Sequence, residues 1–149
     1  MSAPYKLVSP CANCPFRTDV RPYLTRDRVR DIERSLVRSE FPCHKTVTYD
    51  EDGEPVPSRS EAHCAGALIL LEKLGQPSQM MRIAERLGMY DARKLDMSAA
   101  VFDSFDDMIQ AQPSRRSAQR TASELAVPTA AHARNIAKSR RKGVAKKET

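Results

Sequence analysis

Tryptophan is absent from this 149-residue chain, and only four Phe and four Tyr stand among its apolar residues. Aromatic side chains bury the largest apolar areas, so the core must be aliphatic and thin for its length. A small domain with a thin core needs a second constraint, such as a metal or disulfides. Glycine is scarce as well, at five residues, and no phosphate-cradling glycine loop is present. Without an internal repeat or a Gly/Ser linker, the length fits one modest domain. No run approaches the roughly 18 apolar residues that cross a bilayer, so no membrane partner is expected. The opening Met1-Ser-Ala-Pro-Tyr-Lys-Leu-Val-Ser-Pro10 has one lysine and no apolar run, so it does not read as a signal peptide. The expected compartment is the cytoplasm. There thiols stay reduced, and clustered cysteines are ligands or catalysts rather than disulfides.

The formal charge of +6 hides a division. Residues 113–149 hold ten Lys/Arg and two acids, a net of +8, which leaves fifteen basic and seventeen acidic residues, a net of −2, in residues 1–112. The boundary falls at Pro113, giving a metal-binding domain over 1–112 and a basic tail over 113–149. With no aromatic residue and few large aliphatics, the tail is expected to be largely disordered or partly helical. Arg115, Arg116, Lys138, Arg140, Arg141, Lys142, Lys146 and Lys147 would attract nucleic acid, DNA or RNA, by counterion release without reading sequence. The alternative is a tail that serves only solubility. Residues 121–136 carry a faint helix-turn-helix pattern, broken at Val127-Pro128, but that motif needs a third packing helix and more apolar residues than the tail supplies.

Four helices and one β element are expected in the body. Thr25 or a residue near it caps the first helix, which runs to about Ser39 with Val29, Ile32, Leu36 and Val37 toward the core. Lys45–Tyr49 has strand character, and Asp52-Gly53 marks a turn before Val56, the pattern of a small hairpin or, since Pro55 and Pro57 cannot donate to a ladder, of an irregular excursion. Ser58 or Ser60 starts a helix through about Leu74, closed by Gly75. Another follows Pro77-Ser78, with Met80, Ile83, Ala84 and Leu87 on one face and Gly88 as its stop. A last one runs from about Ser104 to Ala111, capped by Asp103 or Ser104, with Asp106 and Asp107 suiting its positive end and Pro113 stopping it. The fold class is therefore small α+β, mainly helical with a minor β-hairpin, organised around a four-cysteine metal centre.

Cys11 and Cys14 form a Cys-x-x-Cys pair, whose spacing lets two thiolates of one tight loop reach one metal. Cys43 precedes His44, and Cys64 falls in the expected first turn of the second helix, where the dipole stabilises a thiolate. Four cysteines suit tetrahedral zinc or a 4Fe–4S iron–sulfur cluster, and the dipeptide Cys14-Pro15 tilts the choice slightly toward iron–sulfur. His44 and His63 each neighbour a cysteine and could replace one as ligand. Buried thiols without metal, a redox Cys-x-x-Cys and a Cys43–His nucleophile are the competing readings.

These motifs have an order that resembles a known group of proteins. Cys11-Ala-Asn-Cys-Pro-Phe-Arg17, Cys43-His-Lys-Thr46 and Cys64-Ala-Gly66 resemble a family of short, uncharacterised bacterial and bacteriophage proteins. Met89-Tyr-Asp-Ala-Arg-Lys-Leu-Asp96 and Val101-Phe-Asp-Ser-Phe105 are similar to its C-terminal pattern. The resemblance covers roughly residues 8–110 and leaves the tail outside. It implies a metal site and no reaction. The departure is a longer insert, Val47 to Ser60, between the second and third motifs.

Arg26, Arg30, Arg34 and Arg38 lie four apart on the first expected helix. They read either as a phosphate-contacting stripe or as a solvated face with Asp27–Arg30 and Asp31–Arg34 pairs. The leading functional reading is a non-enzymatic, metal-stabilised small protein that attaches to nucleic acid through its tail. An iron–sulfur redox or oxygen-sensing regulator is the alternative, and a metal- or cysteine-dependent enzyme is a third.

Overall fold

A computed structural model describes residues 4–39 and 41–114, so the expectations for Arg115 onward, including the basic run and the faint helix-turn-helix, lie outside the described residues. Thr25 caps the first helix, α1 (Arg26–Leu36), by accepting the Arg28 N–H on its hydroxyl. Val29, Ile32 and Leu36 form its buried stripe, as the spacing predicts. The helix stops at Leu36, so Val37 becomes its C-cap and stands 67% exposed instead of joining the core.

The hairpin is present but minimal. β1 (Thr48–Tyr49) pairs antiparallel with β2 (Pro55–Val56), and all four residues are exposed. Its turn is tied by Asp50, whose carboxylate accepts the N–H groups of Asp52 and Glu54. Gly53 takes a φ of 81°, a left-handed conformation that suits glycine at the turn.

α2 (Ala65–Lys73) is the central element, with every residue from Ala65 to Leu71 buried. Such all-round burial marks a helix inside the core rather than on its surface. It starts later than Ser58 or Ser60. Residues 58–61 instead fold into a separate turn in which the Ser58 N–H reaches the Glu61 carboxylate. The reason is a short extended run: Pro42 and His63 form an antiparallel bridge, and the Cys64 N–H donates to the Phe41 carbonyl. That pairing holds Cys64 extended, at φ −67° and ψ 115°, so it caps the helix rather than entering its first turn.

α3 (Gln79–Arg86) is capped by Ser78, which accepts the Met81 N–H while the Met81 sulfur accepts the Ser78 N–H. This reciprocal cap turns Met81 and Ala84 inward, and they are the buried residues of the helix. Met80, Ile83 and Leu87, expected on the core face with Ala84, lie exposed. An eight-residue helix docks here through one i, i+3 pair, which leaves the neighbouring apolar stripe outside.

A 3-10 turn, Ala92–Lys94, capped by Asp91, has no counterpart in the sequence reading. α4 (Phe105–Ala111) is capped by Ser104 and packs on α1. At its end Gln112 is buried and satisfied, accepting from the Leu24 N–H and, through its backbone carbonyl, from Arg26. The described architecture is thus four α-helices and a two-stranded hairpin.

Candidate metal centre

The four cysteines come from three chain segments and lie in two groups, Cys14 with Cys64 and Cys11 with Cys43 and His44. The Cys-x-x-Cys loop is a tight turn in which the Cys14 N–H donates to the Cys11 carbonyl and the Arg17 N–H to the Cys14 carbonyl. Arg17 also holds the loop from outside. Its guanidinium donates to the Cys11 carbonyl while pairing with Asp19 through two short hydrogen bonds, 2.7 and 2.6 Å. Tyr23 adds a third clasp by donating its hydroxyl to the Asn13 carbonyl at 2.8 Å. Behind the loop, Phe16 is fully buried and its carbonyl accepts the Phe102 N–H.

Cys43 is placed by the extended run opposite residues 62–64, its N–H donating to the Ala62 carbonyl at 2.8 Å. Cys64 arrives from the other side of the same pairing, at the start of α2. The bridge that delays the helix therefore sets Cys43 opposite Ala62 and Cys64 opposite Phe41, on either side of the Pro42–His63 pair.

Cys14 and Cys64 sulfurs lie 3.5 Å apart and both are buried. Cys11, Cys43 and His44 form a second group whose ligand atoms lie within 4.8 Å of one another, with His44 Nε2 3.9 Å from Cys11 Sγ. None of the four thiols is in a disulfide. The electrostatics join the two groups: thiolate charge on Cys14 and Cys43 acts on Cys11, and charge on Cys14 and Cys43 acts on Cys64. Burial and these charges push the Cys11 thiol up. The Cys64 thiol is also pushed up, first by its hydrogen bond with Cys14 and then by burial. Cys14 is drawn down to about 7, first by the hydrogen bond with Cys64, against the opposing effect of burial, and further by the Phe16 and Gly66 N–H groups and the Arg17 charge. The two sulfurs therefore titrate as a coupled pair.

Gly66 is required by this packing. A Cβ there would stand 2.5 Å from Cys14 Sγ and 3.0 Å from the Phe16 Cβ. Only a residue without a side chain lets α2 approach the sulfur this closely.

Of the two histidines that adjoin a cysteine, His44 and His63, the structure brings His44 to the cysteines and leaves it exposed. His63 is buried elsewhere in the packing, with its ring 4.4 Å from that of Tyr5. Cys11, Cys43 and His44 make a group with the chemistry to hold a metal ion. The arginine stripe divides differently. Arg30 pairs with Asp27 and Arg34 with Asp31, and Arg26 donates to the Gln112 carbonyl, while Arg38 is exposed.

Sequence reasoning gave no role to Tyr23, Arg28 or Tyr49. All three line a cleft of about 970 Å³ that also reaches Asn13 and His44. Nothing in the spacing of the sequence marks them, because the cleft is made by segments distant along the chain.

No helix among the described residues is long and apolar enough to cross a membrane. Neither a curated protein nor a solved structure matches the chain significantly. A family model does match, over residues 6–135, and so reaches past the last resembling motif into the basic stretch that the motifs alone left outside. On that match the chain belongs to the family of unknown function DUF6283.

Proposed function

We propose that this is a small binding protein whose fold is tied by one metal ion, and that it attaches to nucleic acid through its basic C-terminal stretch. The observation that supports the metal part is the Cys11, Cys43 and His44 group, together with the buried Cys14–Cys64 pair whose charge acts on it. The spacing of the Cys14–Cys64 pair favours zinc over a 4Fe–4S cluster. Around one tetrahedral zinc, with Zn–S bonds of about 2.3 Å, neighbouring sulfurs stand about 3.8 Å apart, close to the 3.5 Å between Cys14 and Cys64. In a cluster each thiolate binds a different iron, so the sulfurs must stand further apart. This reverses the slight preference that Cys14-Pro15 gave to iron–sulfur. The four cysteines would serve as ligands, with His44 at the solvent edge.

Support for nucleic acid comes from charge. Ten Lys/Arg against two acids in residues 113–149 form a strong cationic stretch on an otherwise slightly acidic chain. Binding should weaken linearly in log–log terms with salt, and neutralising Arg140, Arg141 and Lys142 together should flatten that slope by about 3. Binding insensitive to salt, or none at low salt, would remove the nucleic-acid part and leave the metal part standing.

One feature favours a second reading. Cys11 is only partly buried and His44 is exposed, so the site has an edge that solvent and oxygen can reach. An iron–sulfur redox or oxygen-sensing regulator needs such an edge. Anaerobic purification that yields colourless protein with zinc rules it out.

A further inference from the structure

The cleft beside the cysteine site has a composition that the metal does not explain. It lies between α1, the Cys-x-x-Cys loop and the hairpin, and its lining contains no Asp or Glu. Phe41, Pro15 and Pro42 give it apolar walls, while Arg28 is the only Lys or Arg in the lining. The Arg28 guanidinium has no hydrogen-bond or ion-pair partner among the described residues, unlike Arg30 and Arg34 on the same helix. Tyr23 and Tyr49, each 55% exposed, stand at the cleft with much of each ring uncovered. Tyr23 is already held in place by its hydrogen bond to Asn13, so engaging its ring would cost little conformational entropy.

We propose that this cleft seats the bases of single-stranded nucleic acid, stacked on Tyr23 and Tyr49, with a backbone phosphate on Arg28. Two features select that occupant. A purely apolar ligand would bury Arg28 without a counter-charge, which is costly. An acid-free lining with one unpaired arginine calls for a ligand that joins flat apolar faces to negative charge. A nucleotide chain supplies both. A duplex keeps its bases stacked on one another and cannot offer them to the tyrosines. The volume lies within the range of sites that enclose small ligands, so a few nucleotides can enter.

The inference rests on the nucleic-acid part of the reading above, and the test separates the two. Full-length protein is titrated with a labelled oligothymidylate of about twelve nucleotides, and with a duplex of equal length, the two compared at each of several salt concentrations. The single strand should bind more tightly and should alter the tyrosine emission, which no tryptophan masks. Tyr49→Ala should weaken single-strand binding about tenfold, Tyr49→Phe should restore it, and Arg28→Gln should lower the salt slope by about 1. Tyr49 is exposed on a two-residue strand, so its replacement leaves the core intact. Equal binding of both forms, unchanged by Tyr49→Ala and Arg28→Gln, overturns the cleft proposal and leaves the basic stretch as the contact. Tighter duplex binding overturns it likewise. Failure of both probes to bind at low salt overturns the cleft and the nucleic-acid reading together.

Discussion

At the scale of single residues, Gly66 and Tyr90 make sharp claims. Gly66 is where α2 meets the Cys14 sulfur, and a methyl group there would overlap both Cys14 and Phe16. Gly66→Ala must move α2 or the Cys-x-x-Cys loop. We expect a stability loss of about 1–3 kcal/mol in thermal melts, the usual effect of overpacking, together with weaker metal retention. A variant that melts and binds metal like the parent would show that the approach is looser than described. Tyr90 is buried and donates its hydroxyl to the Glu72 carboxylate at 2.7 Å. Burial first, then that hydrogen bond and the carboxylate charge, push its ionisation above the ordinary value of 10.0. A raised folded-state value means this stabilisation is complete below pH 10 and is lost as pH rises beyond it. Tyr90→Phe should cost about 1–2 kcal/mol near neutral pH. It should also remove the Tyr90 share of the alkaline decline, read from denaturant melts at several pH values.

Elements show what the sequence could and could not disclose. Caps were legible because they are local: Thr25, Ser78 and Ser104 each hold an N–H of the first helical turn. Thr25→Ala should therefore cost about 1 kcal/mol by chemical denaturation, and no change would mean that packing alone holds α1. The Asp52-Gly53 turn was legible for the same reason. What escaped were choices made between distant segments. Nothing near Cys64 announces that residues 62–64 will pair with 41–43 and postpone α2. Periodicity placed Met80, Ile83 and Leu87 on the face of Ala84, yet the helix docks through Met81 and Ala84. In a helix this short, a rotation of about 100° per residue is enough to exchange a buried stripe for its neighbour. The same limit applies to His44 and His63. Each adjoins a cysteine in sequence, but only His44 joins the group, because its neighbour Cys43 sits beside Cys11 while His63 packs on Tyr5.

For the molecule as a whole, the question is why a chain with no Trp and four Phe holds together. Its aliphatic core is gathered around α2, and the cysteines join that helix to two segments with little regular structure of their own. A metal there would add binding free energy to folding, because the unfolded chain has no preformed site. Removing it with a chelator should lower the melting temperature markedly, and re-adding zinc should restore it. A His44→Ala variant should keep both the metal and the fold if the four sulfurs are the ligands. Loss of metal in that variant would instead place the ion on Cys11, Cys43 and His44.

The most direct measurement is the metal content of protein purified without oxygen, with an absorption spectrum, for the parent chain and for Cys14→Ser and Cys64→Ser. The account expects colourless parent protein with one zinc per chain, and loss of that zinc in either variant. Parent protein that is fully folded with no metal, or variants that keep their zinc, would contradict it.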